Sequence, residues 1–181
     1  MPRIHPIDPA TATGDAVAPL ATMARAFGGR APNLFTTAAQ SPAAAAAMVS
    51  FFGHLSKASL GPKTGELIAL AVAQSNECGY CLSAHTAIGT LHGLTPDELT
   101  AARDAESADP KVRAVLELAV AVNRSRGHID DADFAAARAA GLDDAEVVET
   151  VAFVALNVFT NYLNSVAQTA IDFPEVALAA A

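Results

Sequence analysis

Hydrophobic residues recur at a helical period along most of the chain, in stretches separated by glycine, proline and capping residues. From Val17 to Phe27 the apolar positions recur every three or four residues, and Gly28-Gly29 ends the stretch. Later stretches begin after Ser41, Thr95 and aspartates, typical N-cap residues. The pattern predicts helices over 17–27, 41–57, 63–74, from the cysteines to 91, a short one from 95, and over 109–124, 130–141 and 143–164.

The remaining segments lack a helical pattern. Residues 1–15 contain Pro2, Pro6, Pro9 and Gly14 and are predicted to form an extended N-terminal arm, either on the surface or against a neighbouring subunit. The segment RAPNLFTTAAQ is predicted to be a loop, and the tail IDFPEVALAAA is ambiguous. Residues 16–181 are therefore predicted to form one helical domain.

Composition narrows the class of fold and of partner. The 181 residues are 52% hydrophobic, rich in alanine and without tryptophan, which favours an all-α fold of closely packed helices. A net charge of -8 offers no basic surface for nucleic acid. We therefore do not expect DNA or RNA as a partner. The N-terminus has no apolar signal region and no stretch is apolar enough to span a membrane, so we expect a cytoplasmic protein that does not span a membrane.

The second half of the chain resembles the first at a fixed offset of 48 residues. Pro62-Lys63 aligns with Pro110-Lys111, and the Leu-Ala-Val-Ala stretch at 70–73 aligns with the one at 118–121. We interpret this as a duplicated helical unit, over about 61–108 and 109–156. The cysteines of the first unit have no counterpart in the second, so one copy is expected to carry the chemistry and the other to support it.

The candidate chemistry lies in ELIALAVAQSNECGYCLSAH, residues 66–85. Cys78, Cys81 and His85 are spaced so that, in a helix, both sulfurs and the imidazole share one face. A C-x-x-C pair is typical of reversible dithiol–disulfide chemistry, and a position in the first helical turn lowers the pKa of a thiol. If the preceding helix packs antiparallel, Glu66 returns to His85 and forms a proton relay with it.

Other interpretations of these residues stay open at this point. Cysteine, histidine and carboxylate are all zinc ligands, so the segment can be a structural zinc module or a non-catalytic redox sensor. It can also be a protein disulfide oxidoreductase, in which Cys81 is less reactive to alkylation than Cys78, the opposite of the order expected for a peroxidase. No second pair of closely spaced ligands completes a zinc site, and His54 and His92 are interpreted as structural.

The spacing E-x11-C-x-x-C-x-x-x-H, present as Glu66, Cys78, Cys81 and His85, resembles the alkylhydroperoxidase D (AhpD)-like, carboxymuconolactone decarboxylase-like family. The C-x-Y-C motif and the segment NYLNSVAQTAIDFP at 161–174 are similar to its peroxidase-related branch. The likeness covers about 55–105 and 150–174. The decarboxylase branch does not rely on a C-x-x-C pair, so lactone decarboxylation is not expected.

This resemblance implies an all-helical AhpD-like fold that forms trimers or hexamers, and a peroxidase that uses no haem, flavin or metal. By position, Cys81 is the peroxidatic thiol and Cys78 resolves its sulfenic acid to a disulfide. His85, backed by Glu66, takes the thiol proton and returns one to the leaving oxygen. The resemblance thus implies a thiol-dependent alkyl hydroperoxide reductase, whose reductant is a lipoyl-bearing partner, thioredoxin or a small thiol.

The sequence departs from the family pattern between the cysteines. Well-characterised members have a second histidine there, and this chain has Gly79 and Tyr80. Tyr80 is therefore a candidate for proton delivery or substrate binding. We also expect a homo-oligomer, because VVETVAFVALNVFTNYL is apolar nearly all round and has more surface to bury than one small bundle covers.

Overall fold

The computed structural model of the protein describes residues 1–179, and these residues contain helices but no strand. The predicted all-α class is confirmed. After a 3-10 turn at Gly14–Ala16, the helices are α1 Val17–Ala26, α2 Asn33–Ala38, α3 Pro42–Leu55, α4 Gly61–Ser75, α5 Gly79–Leu91, α6 Pro96–Arg103, α7 Pro110–Ser125, α8 Asp131–Ala139 and α9 Asp144–Ala167.

Local capping residues set most helix starts where the sequence predicts them. Ser41, Thr95, Asp109, Asp130 and Asp143 each accept a hydrogen bond from a backbone N–H of the helix that follows. These bonds satisfy amides that the first helical turn leaves unpaired. The helix starts were therefore predictable from short polar signals.

The predicted loop at 30–40 is wrong in its centre, where α2 forms. Its residues 34–38 are all buried, and its start is capped from distant parts of the chain: the N–H groups of Asn33 and Leu34 donate to Asp172 Oδ2 and to the Tyr80 hydroxyl. A helix with no exposed polar face and no local cap leaves no amphipathic period in the sequence. Tertiary burial holds α2 in place.

Helix α4 is the centre of the molecule, because α5, α6, α7 and α9 all pack against it. Every residue from Leu67 to Ala73 is buried, which explains the continuous apolar run in the sequence. The break between α4 and α5 therefore lies where several helices meet.

Both ends of the chain lie against the helices. In the N-terminal arm, the N–H of Arg3 donates to the Ala167 carbonyl at 2.7 Å and that of Ile7 to the Thr36 carbonyl at 2.9 Å. Residues 169–179 form a C-terminal strap across α5, where Val176 N–H donates to Ser83 Oγ at 3.0 Å. The last two residues of the ambiguous tail lie outside the described residues.

The helix boundaries are compatible with the predicted duplicated unit, but they do not test the duplication. Helix α6 begins at Pro96 and α9 at Asp144, which preserves the offset seen in the sequence. The duplication and the single-domain boundaries remain predictions.

Candidate functional site

The predicted site lies at the break between α4 and α5. Glu77 adopts the left-handed conformation, with φ of 54°, and turns the chain. Cys78 is then the N-cap residue of α5, and its Sγ accepts a hydrogen bond from the N–H of Cys81 at 3.3 Å. Both cysteines therefore lie at the start of the helix, as the sequence predicts.

The two sulfurs lie within reach of a disulfide. Cys78 Sγ and Cys81 Sγ are 2.6 Å apart, and both residues are free cysteines. Both are buried, with 3% of the surface of Cys78 and 2% of that of Cys81 exposed. A disulfide closes at about 2.05 Å, so a small shift joins them.

The thiols differ in acidity although both are almost completely shielded from solvent. The hydrogen bond from the Cys81 thiol lowers the pKa of Cys78 against the effect of its desolvation, and the Cys81 amide and the charge of His85 lower it further. Desolvation by burial, together with the neighbouring sulfur of Cys78, raises the pKa of Cys81. Cys78, the N-cap sulfur, is therefore the thiol that ionises more readily in the reduced protein.

The antiparallel packing of α4 and α5 brings Glu66 to His85. Glu66 Oε2 lies 2.7 Å from His85 Nδ1, and both side chains are mostly buried. Because Nδ1 is held by the carboxylate, Nε2 is the nitrogen left to exchange a proton with a reacting group. This is the contact expected from the sequence, and it places an acid-backed imidazole one turn beyond Cys81.

Tyr80 has an anchoring position. Its hydroxyl donates to Asp172 Oδ1 at 2.8 Å and accepts from the N–H of Leu34 at 3.0 Å. Burial raises the pKa of Tyr80 well above its usual range. The phenol therefore ties α5 to α2 and to the C-terminal strap; its role in substrate binding or proton delivery stays a prediction.

Two asparagines of α9, which no sequence motif marks as site residues, lie beside Cys81. Asn164 Nδ2 donates to Cys81 Sγ at 3.3 Å, and the side chains of Asn164 and Asn161 both lower the pKa of Cys81. Asn157, Asn161 and Asn164 recur at helical spacing inside an apolar helix. That polar stripe is the signal that could have revealed them.

Two apolar cavities, each of about 150 Å³, meet at the Glu66–His85 pair. We call the first the aromatic cavity. It is lined by Glu66 and His85 with Tyr80 and the side chains Met23, Phe27, Pro32, Leu34, Phe35, Phe52, Ala84, Ile88 and Phe173. A larger open cavity of about 860 Å³ lies between α4, α6, α7 and the strap, and none of the four predicted site residues lines it. The smaller cavities contact the relay through Glu66 and His85, whereas Cys78 and Cys81 are not among the residues that line them. We therefore place the proton relay at these cavities, with the thiols outside their lining.

Other properties of the described part of the chain bear on the alternatives. Among residues 1–179, no three histidine, cysteine, aspartate or glutamate side chains are grouped as ligands of a metal ion. Within the same residues, no helix combines the length and the hydropathy that a bilayer crossing requires.

Comparison with family models gives a match over the centre of the chain. Residues 42–108, just over a third of the sequence, match the carboxymuconolactone decarboxylase family. This segment contains α3, α4, α5 and α6 and all four predicted site residues. A search of curated proteins gave no match.

Solved structures share the fold over nearly the whole chain. A peroxidase-related protein from Ralstonia eutropha JMP134, described as an alkylhydroperoxidase AhpD core, is 24% identical to this chain. The alignment covers 94% of this chain and 92% of the Ralstonia protein, with a TM-score of 0.82. A peroxidase-related protein from Silicibacter sp. TM1040 is 21% identical over 93% and 91%, with a TM-score of 0.80. A cysteine-to-alanine variant of the debrominase Bmp8, bound to 2,3,4-tribromopyrrole, is 22% identical over 93% and 91%, with a TM-score of 0.79. The AhpD-like fold is thereby confirmed.

Proposed function

Since the chain has an AhpD-like fold and an AhpD/carboxymuconolactone decarboxylase-like family segment, we propose that it is a thiol-dependent alkyl hydroperoxide reductase. The observation that carries this proposal is the joint position of the free Cys78–Cys81 pair and the Glu66–His85 pair on α4 and α5. A dithiol supplies two electrons and the relay moves the proton, so the chain's own residues can reduce one hydroperoxide before an external reductant is needed.

In the first step, the Cys81 sulfur attacks the terminal oxygen of the hydroperoxide. An S–O bond forms as the O–O bond breaks, and the two electrons lost by sulfur leave with the alkoxide. His85 takes the thiol proton of Cys81 and delivers one to the alkoxide, which becomes an alcohol. Glu66 holds the imidazole in position and stabilises its protonated form.

In the second step, Cys78 attacks the sulfur of the Cys81 sulfenic acid. The disulfide forms, and the sulfenic oxygen leaves as water with the Cys78 proton. The sulfur separation of 2.6 Å supports this step, because the pair closes with little backbone movement. A thiol or lipoyl-type reductant then restores the dithiol, and a cytoplasmic location belongs to the same proposal because its reducing conditions favour that return.

The aromatic cavity supports an organic substrate. Its volume of about 150 Å³ is close to that of an apolar protein cavity that accommodates benzene, and it contacts His85 directly. The apolar body of a hydroperoxide can bury itself there while its oxygens face the relay. Its lining is apolar apart from Glu66, His85 and Tyr80.

The proposal is tested by counting free thiols after one equivalent of an organic hydroperoxide such as cumene hydroperoxide. Wild type should lose both thiols and form the intramolecular disulfide. Cys78→Ser should stop at a sulfenic acid on Cys81, trapped by a dimedone probe and located by mass spectrometry, and Cys81→Ser should lose turnover. Full turnover by Cys81→Ser would overturn the proposal, and a trapped sulfenic acid on Cys78 in that variant would reverse the two roles.

A second candidate function is a disulfide oxidoreductase acting on a protein substrate. The lowered pKa of Cys78 favours it, because such enzymes attack through the more acidic, N-cap thiol. The burial of Cys78, only 3% exposed, opposes it, because a protein disulfide must reach the attacking sulfur. Reduction of insulin disulfides by the dithiol form, without hydroperoxide turnover, would select this function over the first.

A further inference from the structure

Asn161 and Asn164 reach the reactive sulfur from a helix that carries none of the predicted site residues. Both side chains belong to α9 and are buried, with 0% and 3% of the residue surface exposed. Asn164 Nδ2 donates to Cys81 Sγ at 3.3 Å. A neutral amide N–H pointing at a sulfur stabilises negative charge there without adding a titrating group.

A hydrogen-bond network fixes the orientation of the Asn161 amide. Asn76 Nδ2 donates to Asn161 Oδ1 at 3.0 Å, and Asn76 and Asn123 form a reciprocal amide pair. Reversing the Asn161 amide would place two N–H₂ groups face to face, so its oxygen must face Asn76. The Nδ2 donor of Asn161 is thereby kept on the side of Cys81, near enough to lower the pKa of that thiol although the two atoms form no hydrogen bond in the reduced protein.

One donor and one acceptor remain unused beside Cys81. Asn161 Nδ2 and Asn164 Oδ1 are buried and have no hydrogen-bond partner among residues 1–179. Most buried polar atoms in proteins are paired, so two unpaired atoms beside one sulfur require an explanation. A sulfenic acid, S–O–H, offers the complementary set of one acceptor oxygen and one O–H donor.

We propose that Asn161 and Asn164 are positioning residues that form an amide cradle for Cys81, stabilising its thiolate and then its sulfenic acid. In the thiolate, Asn164 Nδ2 donates to the sulfur. After oxygen transfer, Asn161 Nδ2 donates to the new oxygen and Asn164 Oδ1 accepts its hydrogen. The inference rests on the proposed function. The reaction it serves is balanced as Cys81–SH plus ROOH giving Cys81–SOH plus ROH.

The experiment uses Asn161→Ala and Asn161→Asp in a Cys78→Ser background, where Cys81 is the one remaining thiol. The pKa of Cys81 is read from thiolate absorbance against pH, and sulfenic acid formation from dimedone trapping after cumene hydroperoxide. Aspartate has the size of asparagine but replaces the donor with an acceptor. The cradle therefore predicts that Asp raises the thiol pKa more than Ala, and that both slow sulfenic acid formation roughly 100-fold.

Aspartate raises the pKa of a neighbouring thiol by its charge alone, so the neutral Asn161→Ala decides between the two roles. An unchanged Cys81 pKa in Asn161→Ala would mean that Asn161 only fills space, and that result would overturn the inference. Asn164→Ala is the second variant, with a raised Cys81 pKa expected even if Asn161→Asp does not fold. Thr160→Val is the matched control: Thr160 is buried on the same helix, and its hydroxyl donates to the Asn157 carbonyl. Thermal unfolding of each variant checks the fold.

The two proposals fail in different ways. Unchanged Cys81 titration and oxidation in all the asparagine variants, beside normal peroxide turnover by wild type, would reject the cradle and leave the proposed function intact. Absence of turnover in wild type, beside a shifted Cys81 pKa in the variants, would reject the peroxidase and leave the thiolate-stabilising contacts standing.

Discussion

At the scale of single residues, position within a helix separates two chemically identical cysteines. Cys78 is the N-cap of α5 and its sulfur accepts a hydrogen bond from the backbone N–H of Cys81, whereas Cys81 lies one turn further along the helix. The first sulfur is therefore the easier to ionise. The second depends on the two asparagines for the stabilisation of negative charge.

Alkylation against pH tests this asymmetry. Because the pKa of Cys78 is lowered, iodoacetamide should modify Cys78 before Cys81, and its rate should level off at a lower pH than for an ordinary cysteine. In Cys81→Ala the thiol that donates to Cys78 is gone, so the pKa of Cys78 should rise and its rate profile should move to higher pH. Mass spectrometry identifies the alkylated site.

Alkylation of Cys81 first would contradict the expected ionisation. Alkylation of Cys78 first is the order that the sequence predicts for a disulfide oxidoreductase and not for a peroxidase. Because alkylation reports only which thiol ionises more readily at rest, this order does not decide between the two functions. The sulfur that attacks a peroxide is identified separately, by where the sulfenic oxygen is found.

The carboxylate behind His85 gives a second prediction at this scale. Glu66→Gln keeps the shape of a mostly buried side chain but removes the charge that stabilises the imidazolium. Thiol loss to cumene hydroperoxide should slow by roughly 10- to 100-fold, since positioned acid–base groups contribute at least that much. Stopped-flow measurement of a single turnover reads this rate.

Glu106→Gln is the matched control, because Glu106 is an exposed glutamate whose charge pairs with Arg113 at the surface. Its single-turnover rate should equal that of wild type. A wild-type rate in Glu66→Gln would contradict the relay.

At the scale of helices, a close approach of α4 and α9 positions Glu66. Gly65 precedes it on α4, and a Cβ built at Gly65 would lie 2.8 Å from Cε1 of the Phe153 ring on α9. Both residues also line the second cavity at His85. The absence of a side chain at residue 65 therefore lets α9, which carries the asparagines, pack close to the helix that carries the carboxylate.

A methyl group at this contact should destabilise the protein. Gly65→Ala forces the rigid Phe153 ring to move within the core, and overpacking of this kind costs about 1–3 kcal/mol. Gly53→Ala is the control, because Gly53 lies inside α3 with open space around its Cβ position. Alanine is the better helix former there, so stability should rise by about 0.5–1 kcal/mol.

Chemical denaturation measures both free energies of unfolding. Equal stability of the Gly65→Ala and Gly53→Ala proteins would contradict a tight contact between α4 and α9.

At the scale of the whole molecule, α9 has two apolar faces. One is buried against α4 and α7, and the other is exposed as a stripe that recurs at helical spacing, with Val148 at 67%, Tyr162 at 58% and Val166 at 61% exposure. The stripe comprises Val148, Val151, Ala155, Phe159, Tyr162 and Val166. Such a surface is costly in water, and its length suits another helix.

We therefore predict that the protein is a homo-oligomer in which this stripe packs against a second copy. Tyr162→Glu combined with Val166→Glu should shift the mass in light scattering toward the monomer, since buried charges without partners oppose association. Val17→Glu, which changes an exposed valine of α1, is the control and should keep the wild-type mass. A monomeric wild type would contradict the prediction, and trimer or hexamer would follow from the measured mass.

How far the sequence predicts the molecule depends on the range of the interactions. Caps such as Asp109 and Asp143 act within one turn, so the starts of their helices were predictable. The spacing of Cys78, Cys81 and His85 on one helix is equally local. Helix α2 was missed because burial by distant residues holds it, and that leaves no period of its own.

The sequence by itself determined the all-α class, most of the helices and the C-x-x-C-x-x-x-H face, because each depends on neighbours a few residues apart. Only the tertiary structure decided that Asn161 and Asn164 face Cys81, that Tyr80 is held by Asp172, and which thiol is the more acidic. The Asn164–Cys81 contact spans 83 positions of the sequence, and the Tyr80–Asp172 contact spans 92. Burial by the whole fold raises the pKa of Cys81. These contacts and the difference in thiol acidity are set by packing and desolvation, which depend on the entire fold.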